Sequence, residues 1–536
     1  MSRKQKFGDE ARAALKQGVD IVYKAVAPSL GPKGRSALLS YGKGASIILD
    51  DGVAIAASVE DKDPFVNEGI SLLRSISLKT NEIAGDGTSH SVVLAKHILD
   101  GGIKNIVAGA KPTLIRKGID KASEICSKFL DKVSIPVKGK KDLERVAAIS
   151  SNDEEMGKII AEAVSTVGSN GIVSAERGDA LGINLEIVDG LQLGTGYIHP
   201  VFGLNTADKK VELNDPLIAI IDRHLQYSSE IKTLLEYAVS QARSLLIICE
   251  NMTATALQTV LLNYTKNNMP ICVVKSPSGG ANKKEILDDI SLYTGAKVFG
   301  STTGDSMNKW TPELLGTAKH VVIEENTTVI RGAKDKEALK DRVEVIDKEL
   351  STCRDAARKE HLSLRKAGLT TGIALLKILC PTEEETNQRM AKLEDAKNAA
   401  KAALDGGIIP GGGTTLVRCI SELDAYLAAN PKLDEDFRSG INIVKNALSK
   451  PVEVIAENTG YDGKVVFNEV KKAYNLNGNF NHGFDADKED YCDMIESGIF
   501  DATKVIKTAL QNACSVVGTV LMIETVSVND DEDTRK

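Results

Sequence analysis

Apolar residues recur at helical spacing within otherwise polar stretches over 10–26 and 112–130, separated by short glycine-rich turns, which predicts amphipathic helices packed as a bundle. A similar pattern runs through Val92, Val93, Ile98 and Leu99, directly after Gly85-Asp86-Gly87-Thr88. Between about 170 and 330 the texture changes. Short β-rich apolar runs at 217–221, 245–249, 271–274 and 320–323 alternate there with helical stretches, the pattern of an α/β unit with buried strands. Long charged helices return after about 335, as in 336–366, and a last helix over 502–523 turns Val505, Ala509, Val516 and Val520 toward a core.

A chain of 536 residues exceeds what one hydrophobic core supports, so two or three domains are expected. Hydrophobic content of 42% and charged content of 26% belong to an ordinary globular protein. A net charge of −7, without a basic stripe interleaved with aromatics, argues against nucleic acid as a partner. Aromatics make up only 4%, which points to cores of Ala, Val, Ile and Leu on many helices. The cysteines (Cys126, Cys249, Cys272, Cys353, Cys380, Cys419, Cys492 and Cys514) form no Cys-x-x-Cys pair, so they read as reduced thiols in a cytoplasmic protein, without a zinc site or disulfide framework. No signal-peptide h-region and no run of about 18 apolar residues occurs, so neither export nor a membrane partner is expected.

The candidate chemistry lies in glycine-rich turns. In Gly85-Asp86-Gly87-Thr88, followed by Ser89 and His90, glycines admit an anion close to the backbone, a carboxylate offers hard oxygen to Mg²⁺, and a helix N-terminus attracts phosphate. Taken alone, a Gly-Asp-Gly turn capping an ordinary helix is the commoner reading. Ser29-Leu30-Gly31-Pro32-Lys33-Gly34-Arg35 is either a loop beneath a nucleotide or a plain turn. Asp50-Asp51-Gly52-Val53 places carboxylates after the apolar run 47–49, and 406–414 (Gly-Gly-Ile-Ile-Pro-Gly-Gly-Gly-Thr) is glycine-dense beyond what a surface turn needs. A Walker lysine loop is absent. ATP hydrolysis without it needs carboxylates to hold Mg²⁺ and to orient the attacking water, roles open to Asp51, Asp86 and Asp395 if folding unites them. The phosphate-loop candidates lie toward both ends of the chain and the α/β run in the middle, so a discontinuous nucleotide domain with an inserted central domain is expected.

Taken in order, SLGPKGR, DDGV, AGDGT, RKGIDKA (116–122), ISSN, MGKIIAEAVSTVG, LEDA, GGIIPGGG and GIFDATKVIKTALQNACSVVGTVLMIE resemble the group I chaperonins, the GroEL family, across about residues 6–526. The resemblance implies a multidomain α and α/β fold. A mainly helical equatorial ATP-binding domain would span 1–132 and 406–526, a small intermediate hinge domain 133–188 and 374–405, and an α/β apical domain 189–373, with 527–536 a disordered acidic tail. It implies an ATPase that folds proteins in seven-membered rings of itself, stacked in pairs, capturing non-native polypeptides under a GroES-like cochaperonin lid. ATP with Mg²⁺, and K⁺ as a further cation, would be its cofactors. By position, Ser29, Leu30, Gly31, Pro32 and Asp50 would line the nucleotide, Asp86 would hold Mg²⁺, and Gly87, Thr88, Ser89 and His90 would surround the phosphates. Gly412, Asp485, Ala486, Asp487, Ile499 and Asp501 would lie on the base and ribose side. Asp51 and Asp395 match the carboxylates that support hydrolysis, and Tyr197, Phe202, Leu235, Leu257, Leu261 and Leu262 match an apolar groove for unfolded chains and the lid.

The chain also departs from that pattern. Asp50 stands where the family has lysine, His90 where it has threonine, and Asp485 and Asp487 where it has asparagine and alanine. Lys232 takes a leucine position in the apical groove, Val201 an aromatic one, and the Gly-Met tail is missing. A ring-forming holdase with little ATP turnover is the competing reading, motivated by Asp50.

Overall fold

The structure, a computed structural model, describes residues 3–40, 46–49, 51–168, 172–178, 180–188, 190–204, 210–277, 281–300, 310–332, 336–353, 355–370 and 373–529. Asp50 and residues 530–536 lie outside the described residues. The chain separates into two compact units, the first made of 1–165, 175–185 and 376–536, the second of 166–174 and 186–375. Most of 133–188 and 374–405 falls in the first unit. The strands Ile172–Arg177, Gly182–Val188 and Ile373–Leu379 form a three-stranded sheet with the last of them in the centre.

The first unit is mainly helical. Helix Gly8–Val26 buries Ala11, Leu15, Val19, Val22 and Val26, one face at three-and-four spacing. It crosses helix Pro64–Ala84 closely: a Cβ at Gly18 would lie 2.1 Å from the Val66 carbonyl oxygen, and one at Gly69 2.2 Å from that of Leu15. Gly69→Ala is therefore expected to destabilise the first unit by about 1–3 kcal/mol through overpacking. Its urea midpoint, followed by far-ultraviolet circular dichroism, should fall; an unchanged midpoint would show that the helices part freely. Helices Thr88–Val107, Pro112–Val133, Thr414–Ala429, Glu435–Ala447 and Thr503–Val520 add to this core. In the last of these Val505, Ala509 and Val520 are buried, whereas Val516 is only half-buried because Val517 takes the inner place.

Residues 527–529, expected in a disordered tail, instead end the strand Thr525–Asn529, which pairs antiparallel with Arg3–Phe7. Alternation explains the difference, since Val526 and Val528 enter the core while the residues between them face outward.

The second unit contains a parallel sheet in the order Ile271–Lys275, Leu245–Met252, Leu217–Leu225, Val298–Gly300, with Gly316–Thr317 added antiparallel. The predicted runs at 217–221, 245–249 and 271–274 are its buried strands. The run His320–Ile323 belongs to a separate antiparallel sheet with Gly190–Leu193, Thr328–Arg331 and Val211–Asn214. The stretch 336–366 is not one helix but two, Lys336–Thr352 and Ala356–Thr370. Ion pairs fasten both to helix Ala281–Thr294: Arg342 Nε to Asp289 Oδ1 at 2.9 Å, Arg365 Nε to Asp289 Oδ2 at 2.7 Å and Arg358 Nη2 to Glu285 Oε1 at 2.8 Å.

Candidate functional site

Glycine-rich segments from both ends of the chain meet in the first unit. Helix Pro64–Ala84 ends at Gly85 (φ +70°) and helix Thr88–Val107 starts after Gly87 (φ +82°), so two left-handed residues reverse the chain and leave Asp86 at the bend. A side chain at Gly87 would strike Val505 Cγ1 at 2.6 Å, which ties the bend to helix Thr503–Val520. Asp51 caps helix Gly52–Ser58, its carboxylate accepting the N–H groups of Val53 at 3.1 Å and Ala54 at 2.9 Å. A Cβ on Gly52 would lie 2.9 Å from Thr88 Oγ1 and 2.5 Å from Ser89 Oγ. Ser29 Oγ donates to the Val26 carbonyl at 2.8 Å and shares a 3.2 Å hydrogen bond with Ser89 Oγ. Beside it Leu30 is buried, and Gly31 lies against Ile455.

From the other end of the chain, the strand Ile408–Pro410 pairs with Phe500–Ala502, setting Ile409 opposite Asp501. Gly411 donates its N–H to the half-buried Ile499 at 3.0 Å, and Gly412 faces Met494 and the Phe484 carbonyl. Asp485 is buried and serves its own hairpin turn, accepting the N–H groups of Asp487 at 3.1 Å and Lys488 at 3.2 Å. Ala486 is buried and Asp487 exposed.

Helices Thr88–Val107 and Thr414–Ala429 both follow a left-handed glycine, Gly87 and Gly413, and neither N-terminus has a side-chain cap. Asp51, Asp63, Asp434 and Asp462 cap other helices of the same unit. The end after Gly87 leaves N–H groups available to an anion, whereas the Thr414 N–H already donates to the Gly411 carbonyl at 3.1 Å.

Two further segments of this unit reach the same loops. Ser150 Oγ, near the end of helix Lys140–Ser151, donates to Asp86 Oδ2 at 2.7 Å, and Asn152 Nδ2 donates to the Pro32 carbonyl at 3.4 Å. On helix Glu383–Gly406, Gln388 Nε2 donates to the Ile48 carbonyl at 3.0 Å, and a Cβ at Gly85 would lie 2.1 Å from Asn398 Cβ. Asp395, half-buried, stands three residues before Asn398 and so on the same side of that helix. Sequence reasoning assigned no role to Ser150, Asn152, Gln388 or Asn398; Ser150 and Asn152 lie in the ISSN motif of the resemblance, but what a polar residue on a helix does is not legible until the loops it touches are known.

Electrostatically the bend is overloaded with negative charge. Burial raises the pKa of Asp86 and the charge of Asp51 adds to it, against the opposing hydrogen bonds from Ser150 and the Gly87 N–H. Asp501 is pushed up to about 7, by burial first and then by Asp86. Burial alone lowers His90 to about 4, so its ring is neutral, and its Nε2 is enclosed without a partner among the described residues. A divalent cation would relieve the carboxylates. Among the described residues no three acidic, histidine or cysteine side chains form a ready-made cage, so a cation here would complete its shell with phosphate oxygens and water, as Mg²⁺ commonly does. Oxygen donors, glycine bends and free helix N–H groups thus fit a cation with a polyphosphate.

The raised pKa of Asp501 carries a pH signature. Below 3.8 both folded and unfolded states are protonated; from there to about 7 the fold retains a proton that the unfolded chain has lost, so stability falls with rising pH and the penalty is complete above about 7. Asp501→Asn should therefore raise the melting temperature of the nucleotide-free protein at pH 8 by about 2 °C or more, with the gain shrinking toward pH 4. Scanning calorimetry reads this directly. An equal gain at both pH values would contradict it.

In the second unit the residues expected in an apolar groove differ in exposure. Phe202 is fully buried, its ring edge-on to Tyr264 at 5.2 Å, and Tyr197 and Leu235 are buried as well. Leu257 and Leu261 are half-buried, and Leu262 is 44% exposed. Phe202, Tyr197 and Leu235 thus belong to the core of this unit, where burial stabilises large apolar side chains, and not to an exposed stripe. Exposed apolar surface is offered instead by Leu204, Tyr227, Val239 and Leu262. Lys232 is exposed and pairs with Glu236 at 3.7 Å.

Comparison with known proteins agrees with this geometry. The TCP-1/cpn60 chaperonin family model matches residues 22–531. Among solved structures, the chaperonin gp146 from the bacteriophage EL 2 (Pseudomonas aeruginosa), determined in the presence of ATP-BeFx, is similar over 98% of this chain and 99% of its own. The TM-score is 0.73 and the identity 19%. No helix among the described residues is long and apolar enough to cross a membrane.

Proposed function

The chain belongs to the TCP-1/cpn60 chaperonin family, as a divergent member with the motif order of group I, and from that premise we propose that it is an ATP-hydrolysing chaperonin. One observation carries this reading: segments around Gly31, Gly52, Gly85 to Thr88 and Gly411 to Thr414 converge in one unit about Asp51, Asp86 and Asp501, beside two uncapped helix N-termini. Mg·ATP, when bound, supplies the transferable phosphoryl group and the positive charge that offsets these carboxylates. Asp86 would hold the cation, the N–H groups at Thr88 to His90 would take phosphate oxygens, and Gly31 and Gly412 would admit the rest of the nucleotide. Asp51 and Asp395 orient and deprotonate the attacking water.

The three-domain division into equatorial, intermediate and apical parts is retained in this reading, with the helices that carry Ser150 and Asp395 as the moving hinge. Assembly into seven-membered rings is supported by a two-stranded hairpin, Ala37–Ser40 with Ser46–Leu49, that exposes Leu38 and Ile48, and by the separate two-stranded sheet of Arg3–Phe7 with Thr525–Asn529. Strand edges of this kind favour pairing with another chain. Non-native polypeptides would bind the exposed apolar residues of the second unit, and a cochaperonin would close the chamber.

The test combines two measurements on the purified full-length protein. Mg²⁺-dependent ATP hydrolysis and seven-fold rings in negative-stain images, with an outline altered by ATP, are expected. Absence of Mg²⁺-dependent hydrolysis overturns the enzymatic reading, and complete chamber closure without a second protein overturns the need for a cochaperonin.

A further inference from the structure

We propose that Ser150 is a positioning residue for the cation ligand Asp86, so that the cation site is completed by helix Lys140–Ser151; this rests on the nucleotide reading above. The Asp86 carboxylate is half-buried, and its two oxygens have separate partners: Oδ1 accepts the N–H of Gly87 within its own loop, and Oδ2 accepts the Ser150 hydroxyl at 2.7 Å. The Gly87 contact is local and fixes the carboxylate only at its base. Ser150 lies 64 residues away in sequence, so its hydrogen bond sets which way Oδ2 points and stabilises the ionised carboxylate against the neighbouring Asp51. A hydroxyl can donate to one lone pair of a carboxylate oxygen while another ligates a cation, and outer partners of this kind tune metal affinity.

The arrangement around Ser150 supports a dedicated role. Ser151, its neighbour, donates to the Ala147 carbonyl at 2.8 Å, an ordinary bond within the helix, whereas Ser150 points to the bend. Asn152, which ends the same helix in a left-handed conformation (φ +53°), reaches the Pro32 carbonyl. One helix terminus therefore touches two of the converging loops, the cation bend through Ser150 and the Gly31–Pro32 turn through Asn152. Movement of that terminus would remove the donor from Asp86 and the brace from Pro32 together, which makes cation affinity depend on the position of the helix.

The experiment is calorimetric titration of the full-length protein with a non-hydrolysable ATP analogue at a series of Mg²⁺ concentrations, comparing the parent with Ser150→Ala, Ser150→Thr and Ser151→Ala. Loss of a charge-assisted hydrogen bond predicts that Ser150→Ala raises the Mg²⁺ concentration at half-saturation by about tenfold. Ser150→Thr, which keeps the hydroxyl, should stay within about threefold of the parent, and Ser151→Ala should leave the midpoint unchanged. Affinity for the analogue without Mg²⁺ should be alike in all four proteins. A Ser150→Ala midpoint equal to the parent's overturns the positioning role while leaving the nucleotide reading intact, and an equal shift in Ser151→Ala overturns it in favour of general loosening of the helix. A parent that shows no Mg²⁺-dependent binding overturns both readings.

Discussion

Asp395→Ala is expected to lower steady-state ATP hydrolysis by about 10²-fold or more while leaving nucleotide affinity within about threefold, because a group that orients or deprotonates water acts in the transition state and adds little to ground-state binding. The geometry supports this division. Asp395 is on helix Glu383–Gly406, three residues before Asn398, whose side chain leaves no room for a Cβ at Gly85. The proposed nucleotide cradle is built from other segments: the Asp51 cap, the Asp86 bend, the Gly31 turn and the Gly412 turn. Single-turnover hydrolysis and equilibrium binding of ATP, measured on the same preparation, separate the two effects. A variant that loses both in equal measure would place Asp395 in the binding site proper and remove the rationale for a mobile catalytic helix.

Asp86→Asn carries the second large effect, and its signs are opposite for binding and for stability. The amide keeps the shape of the side chain and can still accept from Ser150, but it cannot neutralise a divalent cation, so affinity for the Mg²⁺ complex of ATP should fall by about 10²-fold. Stability of the nucleotide-free protein should rise, since burial and Asp51 both disfavour the carboxylate and Asp86 adds to the burial that raises Asp501. Differential scanning calorimetry with and without Mg·ATP measures both quantities. A variant that melts below the parent without ligand would show that the Asp86 charge holds the loop together, contrary to the electrostatics described here.

The sequence disclosed the cradle well and the means of holding it poorly. Gly85, Gly87, Gly31 and Gly412 were legible because left-handed and close-approach positions select glycine, whereas Asp51 and Asp86 stood out only in company, since a carboxylate beside a glycine turn commonly just caps a helix, as Asp51 does. The buried strands 217–221, 245–249 and 271–274 were legible from continuous apolar runs. His320–Ile323 has the same composition yet joins another sheet, because an apolar run shows burial and not its partner. The split at 352–356 was hidden because charged residues continue through both helices, and the ion pairs from Arg358 and Arg365 that fix it are long-range. Phe202 and Leu235 read as surface because an apolar residue on a helix or loop has the same signature whether it faces a groove or a core. Ser150 and Asn398 were illegible for a related reason, since their importance arises only from the glycine bend they touch.

The pairing of Arg3–Phe7 with Thr525–Asn529 bears on how the protein is made. During synthesis the strand Arg3–Phe7 leaves the ribosome more than 500 residues before its partner, and helix Thr503–Val520, which supplies Val505, Ala509 and Val517 to the core, follows the first helices by a similar distance. The nascent first unit therefore carries an unpaired edge and an open apolar face throughout translation, whereas residues 186–375 can collapse on their own as soon as they appear. That edge stays open until the strand Thr525–Asn529, which follows the helix, has emerged.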